Sequence, residues 1–335
     1  MKRVLGCAVI LALLGSCAPG YVLVGFQVLE PGNVTLDPGA GPAVIINRAP
    51  ITFDVMAEEN RTGLTEEHLV IIDTVISNSL IRGVQDVLRK SPASQFHYPI
   101  FDSERRFDTL GLNDLVLTKR EVEEICTQHA GNVLISLEKY TLEVETYEDM
   151  YPDEPGTLRT HYFQLSGEVT WRVYLPGHPR PYDAYVMSDT MYFSNVVDGR
   201  LISERLSPID MIRLFYKSCG EKYARRLVPV WSETLRPVFS DGDKSLRQAA
   251  RYTNRGDWEQ ARFLWEGLCL DDDPKTSSRA YHNLAVYYEL EDSLDTALIF
   301  ARKAMALDTM EAFRTYGEEL ETRVLNRKEI LEQLY

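Results

Sequence analysis

Signatures of catalysis are missing from this 335-residue chain. It has no His-Glu-x-x-His, no glycine-rich phosphate loop, no Gly-x-Ser-x-Gly and no locally supported cysteine–histidine pair. Histidine is scarce: His68, His97, His129, His161, His178 and His282 each stand alone, without the spacing of a metal site. Positive charge is also short, with 36 basic against 50 acidic residues and a net charge of −14. So acidic a surface repels phosphate backbones and argues against nucleic acid as a partner. No apolar run reaches the roughly 20 residues of a membrane-spanning helix. The five cysteines match no zinc pattern.

What is present begins at the N-terminus. Lys2-Arg3 is a short basic region, Val4–Leu14 is continuously apolar, and Leu14-Gly15-Ser16-Cys17 closes the run. That layout is a secretory leader with small residues at its cleavage point. Leu-Gly-Ser-Cys resembles the bacterial lipobox, which predicts that residues 1–16 are removed and that Cys17 carries a diacylglyceryl group. Each buried methylene contributes about 0.8 kcal/mol, and two or more chains hold stably where one holds only marginally. Cysteines 126, 219 and 269 then remain, an odd number set among apolar neighbours, and they read as small buried hydrophobes. No metal and no cofactor is expected.

Residues 17–240 read as a mixed α/β domain. "YVLVGFQVL" and "AVIINR" are strand-like, and proline and glycine punctuate the loop between them. Residues 65–90 form a helix, and "SQFHYPIF" (94–101) a strand. "LTKREVEEICTQHAG" is a helix with a capping box, Thr118 with Glu121, and Gly131 at its end. "NVLISLEKYTLEVETY" follows as one long strand. "RTHYFQLSGEVTWRVYLP" and "AYVMSDTMYF" alternate like an antiparallel hairpin with one buried face. Ser207-Pro208 opens a further helix. "WSETLRPVFS" closes the domain. The fold class is therefore α+β: a mixed sheet domain with an antiparallel hairpin, followed by helical hairpins.

Residues 241–335 change period. Two segments superpose at an offset of 36 residues, so that Ala249 falls on Ala285, Tyr252 on Tyr288, Ala261 on Ala297 and Leu268 on Ala304. Small and aromatic positions in that order are those of tetratricopeptide repeats, with a charged closing helix after them. By that register Leu246, Ala250, Thr253 and Asn254 face a groove from the first unit, and Arg279, His282, Val286 and Glu289 from the second. Such a mixture suits a helix or an extended peptide. A second reading stays open, in which two repeats only brace the α/β domain.

Two acidic clusters and one aromatic cluster have the residue types for chemistry. Glu148, Asp149, Asp153 and Glu154 lack the alternating donors and central glycine of a calcium loop and read as a solvated hairpin tip. In "DDDP" (271–274), Asp273 is placed to cap the next helix. The aromatics around Trp171 offer either a carbohydrate-stacking platform or ordinary cross-strand packing.

The arrangement resembles uncharacterised lipoproteins of Bacteroidetes-type bacteria, a domain of unknown function followed by tetratricopeptide repeats. The likeness rests on "VLEPGNVTL", "VIINR", "LTKREVEEIC…NVLISLEKY" and "GDWEQARFLWEGL…YHNLAVYYEL". It implies an architecture and an envelope location, with no catalytic residues. The strand–capped helix–strand order is also similar to the α/β domain of curli-secretion-type lipoproteins, which implies fold alone. No acidic run follows Cys17, which implies the periplasmic leaflet of the outer membrane. The expected protein is a non-enzymatic, lipid-anchored scaffold for an unidentified envelope protein. The rival is a glycan-handling lipoprotein using Trp171.

Overall fold

A computed structural model describes residues 20–39, 41–50, 66–102, 116–149, 160–194, 196–197, 200–201 and 206–335. The chain divides into two compact units. One is an α/β unit, Pro31–Val230 with Glu329–Tyr335; the other takes the chain up to Glu30 together with Trp231–Lys328.

In the α/β unit, β2 (Ala43–Asn47) is buried at every residue, as expected of a strand covered on both faces. It pairs in parallel with β3 (Ile100–Asp102) and with β4 (Val133–Tyr140). Helix α1 (Glu66–Lys90) precedes β3 and α2 (Lys119–Gln128) precedes β4. The fifteen-residue β6 (Thr160–Tyr174) runs antiparallel to β4, to β5 (Glu143–Asp149) and to β7 (Asp183–Ser194). A two-residue ladder, β8 (Val196–Val197) with β9 (Arg200–Leu201), leads to α3 (Pro208–Ala224). This is the expected α+β class.

The segment expected as one long strand is two, because the ladder slips between Leu137 and Lys139 and breaks at Thr141. Gly167 makes the break possible: a Cβ there would lie 2.3 Å from the Thr141 carbonyl oxygen. The strand expected over 94–101 is instead a 3-10 turn, Ser94–Phe96, with only Ile100–Asp102 extended. The capping box of α2 is present, with the Thr118 N–H donating to Glu121 at 2.7 Å. Its end differs from expectation. Ala130 takes the left-handed conformation (φ 52°), while Gly131 is needed for space, since a Cβ on it would meet Val44 Cγ2 at 2.4 Å.

Helices α1 and α3 cover one face of the sheet, over Ile45, Ile135, Leu137, Val169, Trp171 and Val173. Helix α2 covers the other, over Val44, Ile46, Leu134 and Tyr174.

The second unit is built on helices α4 (Lys244–Thr253), α5 (Trp258–Leu268), α6 (Pro274–Leu290), α7 (Leu294–Leu307) and α8 (Glu311–Leu334). The 36-residue offset extends to the backbone. Gly256 (φ 81°) and Asp292 (φ 54°) take the same left-handed turn. Asp257 N–H donates to the Tyr252 carbonyl at 3.0 Å, and Ser293 N–H to the Tyr288 carbonyl at 2.8 Å. Ala249, Ala261, Ala285 and Ala297 are all fully buried where helices cross. Asp273 caps α6 through the Lys275 and Thr276 N–H groups.

Strands β1 (Tyr21–Glu30) and β10 (Val230–Phe239) form a two-stranded ribbon in this same unit. The Gly20 carbonyl accepts from Ser240 and Asp241 N–H, and Ser232 Oγ meets Glu30 at 2.9 Å, so the strands run antiparallel. Val22, Val24, Phe26 and Val238 pack onto the helical core around Trp265 and Leu284. The helical unit therefore takes one strand from each side of the α/β unit in sequence, and it begins before residue 241. Hydrophobic burial explains this: the inward face of the ribbon has its apolar partners among the helices.

Candidate functional site

The α6 face carries the predicted groove residues, and it is filled. Arg279, His282, Val286 and Glu289 are buried, while Asn254 at the end of α4 is exposed. What occupies the face is the chain's own extended segment 236–241. Arg279 Nη1 donates to the Asp241 carbonyl at 3.1 Å and lies 2.7 Å from its carboxylate. His282 Nε2 meets the Pro237 carbonyl at 3.0 Å. Asn283, one residue on, clamps Phe239 through both backbone groups at 2.8 Å each. The groove thus recognises an extended peptide, as its composition suggested, but that peptide is internal. Arg279, His282, Val286 and Glu289 are thus turned to the protein's own core and this internal segment. Sequence reasoning missed Asn283; its place four residues after Arg279 and three before Val286, on the same helical face, was the available signal.

Glu289 organises the electrostatics. Its oxygens accept from Arg236 Nε at 2.9 Å and Nη2 at 3.1 Å, from Tyr316 at 2.9 Å, and from Arg323. Arg236 also reaches Glu319 at 2.5 Å. Burial pulls the Arg236 pKa down, but the hydrogen bonds and charge of Glu289 outweigh it and leave the group above its ordinary value. Burial, and then the charge of Glu289, push the Tyr316 phenol well above its usual range.

His282 is enclosed by the rings of Phe239, Phe313 and Tyr316, with centroids 4.8–5.1 Å away. Since a carbonyl only accepts, Nε2 carries the proton and Nδ1 is the bare nitrogen, with no hydrogen-bond partner among the described residues. Burial, partly opposed by the Pro237 carbonyl, lowers the pKa from 6.5 to about 4. Below about pH 6.5 the unfolded chain binds a proton that the folded chain refuses until about pH 4. Stability is therefore full above that window and falls as pH drops through it, by about 3 kcal/mol in total. Urea midpoints measured from pH 7 to pH 4 should show this slope, and His282→Phe should flatten it. Equal slopes in the two proteins would refute the assignment.

A second polar cluster sits in the α/β unit at the carboxyl ends of parallel β2, β3 and β4, where open sheets of this kind place ligands. Arg48 Nη1 pairs with Glu138 Oε2 at 2.8 Å, and Arg172 Nη1 lies 3.7 Å from the same oxygen. Tyr174 donates to Glu138 Oε1 at 3.2 Å and accepts from Leu117 N–H at 3.3 Å. Burial, followed by the Glu138 charge, raises the Tyr174 pKa. His129 meets Asp102 at 3.2 Å. The Ser136 hydroxyl is buried without a hydrogen bond among the described residues. Arg48 and Arg172 stand against Glu138 and Asp102, so the cluster is balanced in charge and its polar groups hold one another.

The remaining sequence candidates separate clearly. Trp171 is wholly buried and stacks on Tyr223 at 4.7 Å, so it cannot stack on a sugar, and the glycan reading loses its anchor. Tyr182 and Tyr192 are exposed, but ten residues of chain at about 3.3 Å each separate them, too far for one platform. Cys126, Cys219 and Cys269 are free thiols whose pKa values burial raises to about 11, 12 and 11. A protonated thiol is a poor nucleophile. No group of three or more His, Cys, Asp or Glu is placed to hold a metal among the described residues. Cys17, Asp153 and Glu154 lie outside the described residues.

Fold and sites together define a two-unit α+β protein whose helical hairpins are occupied by its own ribbon. The chain belongs to a family described as a domain of unknown function, DUF8603, whose model matches residues 42–239 and so more than half of the chain. A second domain of unknown function, DUF6340, matches residues 247–327. No curated protein matches the sequence.

Proposed function

We propose that this chain is a lipid-anchored protein of a Bacteroidetes-type cell envelope, held in the periplasmic leaflet of the outer membrane, that acts by binding and not by catalysis. Its helical hairpins are tetratricopeptide-like and serve as a mount. Its α/β unit offers the binding surface for a partner protein. One observation carries this division of roles: the α6 face that would recruit a partner already holds residues 236–241. Anchoring acts by co-localisation, since a partner confined to the same surface meets its target at a raised effective concentration.

The anchor is tested by intact mass. Protein extracted with detergent should begin at Cys17 and carry a diacylglyceryl group, and Cys17→Ser should leave the leader uncleaved or release the protein to the periplasm. An unmodified thiol, or another start site, would refute the anchor. The division of roles is tested by photocrosslinking in cells. Probes on the α/β surface near Arg172 should capture a partner, and probes at Asn254 should not. The reverse pattern would return recruitment to the helical unit.

A further inference from the structure

We propose that the outward face of the β1–β10 ribbon is a lipid-contact surface that lies against the headgroup region of the bilayer. The proposal rests on the acylation of Cys17 argued above. Strand alternation sends Val22, Val24 and Phe26 inward and leaves Tyr21, Leu23 and Gln27 outside. On β10 the outward residues are Trp231, Glu233 and Leu235. The two sets share one face: a Cβ built on Gly25 would lie 3.3 Å from Leu235 Cδ2. Leu235 is 63% exposed, Leu23 56%, Trp231 50% and Tyr21 39%. Leu23 and Leu235 thus stand in water near the middle of the strand pair, with Tyr21 toward one end and Trp231 toward the other, about 26 Å apart along the ribbon.

Chain length fixes what the Tyr21 end of this face lies against, and a ribbon lying flat carries Leu23, Leu235 and Trp231 along the same surface. Four residue steps separate Cys17 from Tyr21, a reach of at most about 14 Å. An acylated Cys17 has its glycerol at headgroup level, so the start of β1 cannot leave the membrane surface. Tryptophan and tyrosine favour that layer, where an apolar ring and a polar edge are both satisfied. The face carries no lysine or arginine, since Arg236 points inward to Glu289. Contact is therefore driven by apolar burial and not by attraction to anionic lipid, which the outward Glu233 disfavours. The competing occupant is a second copy of this chain, because the ribbon pairs with no further strand among the described residues.

The lipidated protein in phosphatidylcholine vesicles with a headgroup-proximal doxyl label provides the test. Of the other tryptophans, Trp171 and Trp265 are fully buried and Trp258 is half-buried, so Trp231 should dominate the quenching. Trp231→Phe should remove most of it, and Leu23→Ser with Leu235→Ser should reduce it while the thermal midpoint stays unchanged. Quenching that is absent, or equal in Trp231→Phe, overturns the proposal when intact mass shows an acylated Cys17. A bare Cys17 overturns the anchor and, with it, the proposal. Sedimentation of Cys17→Ser protein should give a monomer. A dimer dispersed by the paired serine substitutions would assign the face to a second copy.

Discussion

Gly220→Leu should unfold the α/β unit at a denaturant concentration far below that of the native chain, with a loss above about 3 kcal/mol. Helices α1 and α3 touch backbone to backbone at this point. A Cβ on Gly220 would stand 2.1 Å from the Leu80 carbonyl oxygen, and one on Gly83 would stand 2.3 Å from that of Lys217. Neither contact can be relieved by a rotamer, because the atoms met are backbone. The helices would have to separate, although ordinary side chains hold axes 8–10 Å apart only where the packing allows it. Separation would uncover Leu80, Val84, Phe215 and Tyr223, all fully buried. Even Gly220→Ala should lose about 1–3 kcal/mol. The control is Gly267→Ala in α5, where an added Cβ meets nothing within 4 Å. That change should gain up to about 1 kcal/mol, the usual difference between glycine and alanine in a helix. Urea unfolding followed by circular dichroism reads all three variants. A native midpoint for Gly220→Ala would show that the two helices are not in contact there.

The two glycines also show what the sequence could and could not tell. Isolated glycines in helices read as small costs in propensity, and nothing local marks them as a crossing point. The capping box at Thr118 and Glu121, the Ser207-Pro208 helix start and the 36-residue offset were legible because each is written within a few residues or as a period. The second strand of the ribbon was harder. "WSETLRPVFS" alternates like any strand, and its partner β1 lies about two hundred residues earlier, so only tertiary pairing could assign it to the helices. The groove residues were located on the right helical face, but their occupant was invisible for the same reason. Arg279, His282 and Glu289 have the chemistry of a peptide-binding surface whether the peptide is foreign or internal. The cluster of Arg48, Glu138 and Arg172 was not legible because its members come from the end of β2, from β4 and from β6.

Removing the charge at the centre of that face should be as damaging as forcing the helices apart. Glu289→Ala should cost about 3–5 kcal/mol, the range for breaking a buried ion pair from one side. The carboxylate is fully buried and accepts from Arg236, Arg323 and Tyr316. Alanine would leave Arg236 in a site where burial already disfavours its charge, with the half-exposed Glu319 as its remaining ion-pair partner among the described residues. Replacing both members is a different matter. Burying two charges is expensive, so Glu289→Leu combined with Arg236→Met should recover most of the loss. A large single effect with a small double effect would show that the pair holds the ribbon in register and adds little net stability. The functional consequence follows from position. Arg236 starts the segment that Asn283 and Arg279 grip, so Glu289→Ala should speed amide exchange at Val238 and Phe239 before the helices unfold. Native-rate exchange at those two amides would mean that the segment is held by Asn283 alone, and that the ion pair is incidental to keeping the groove filled.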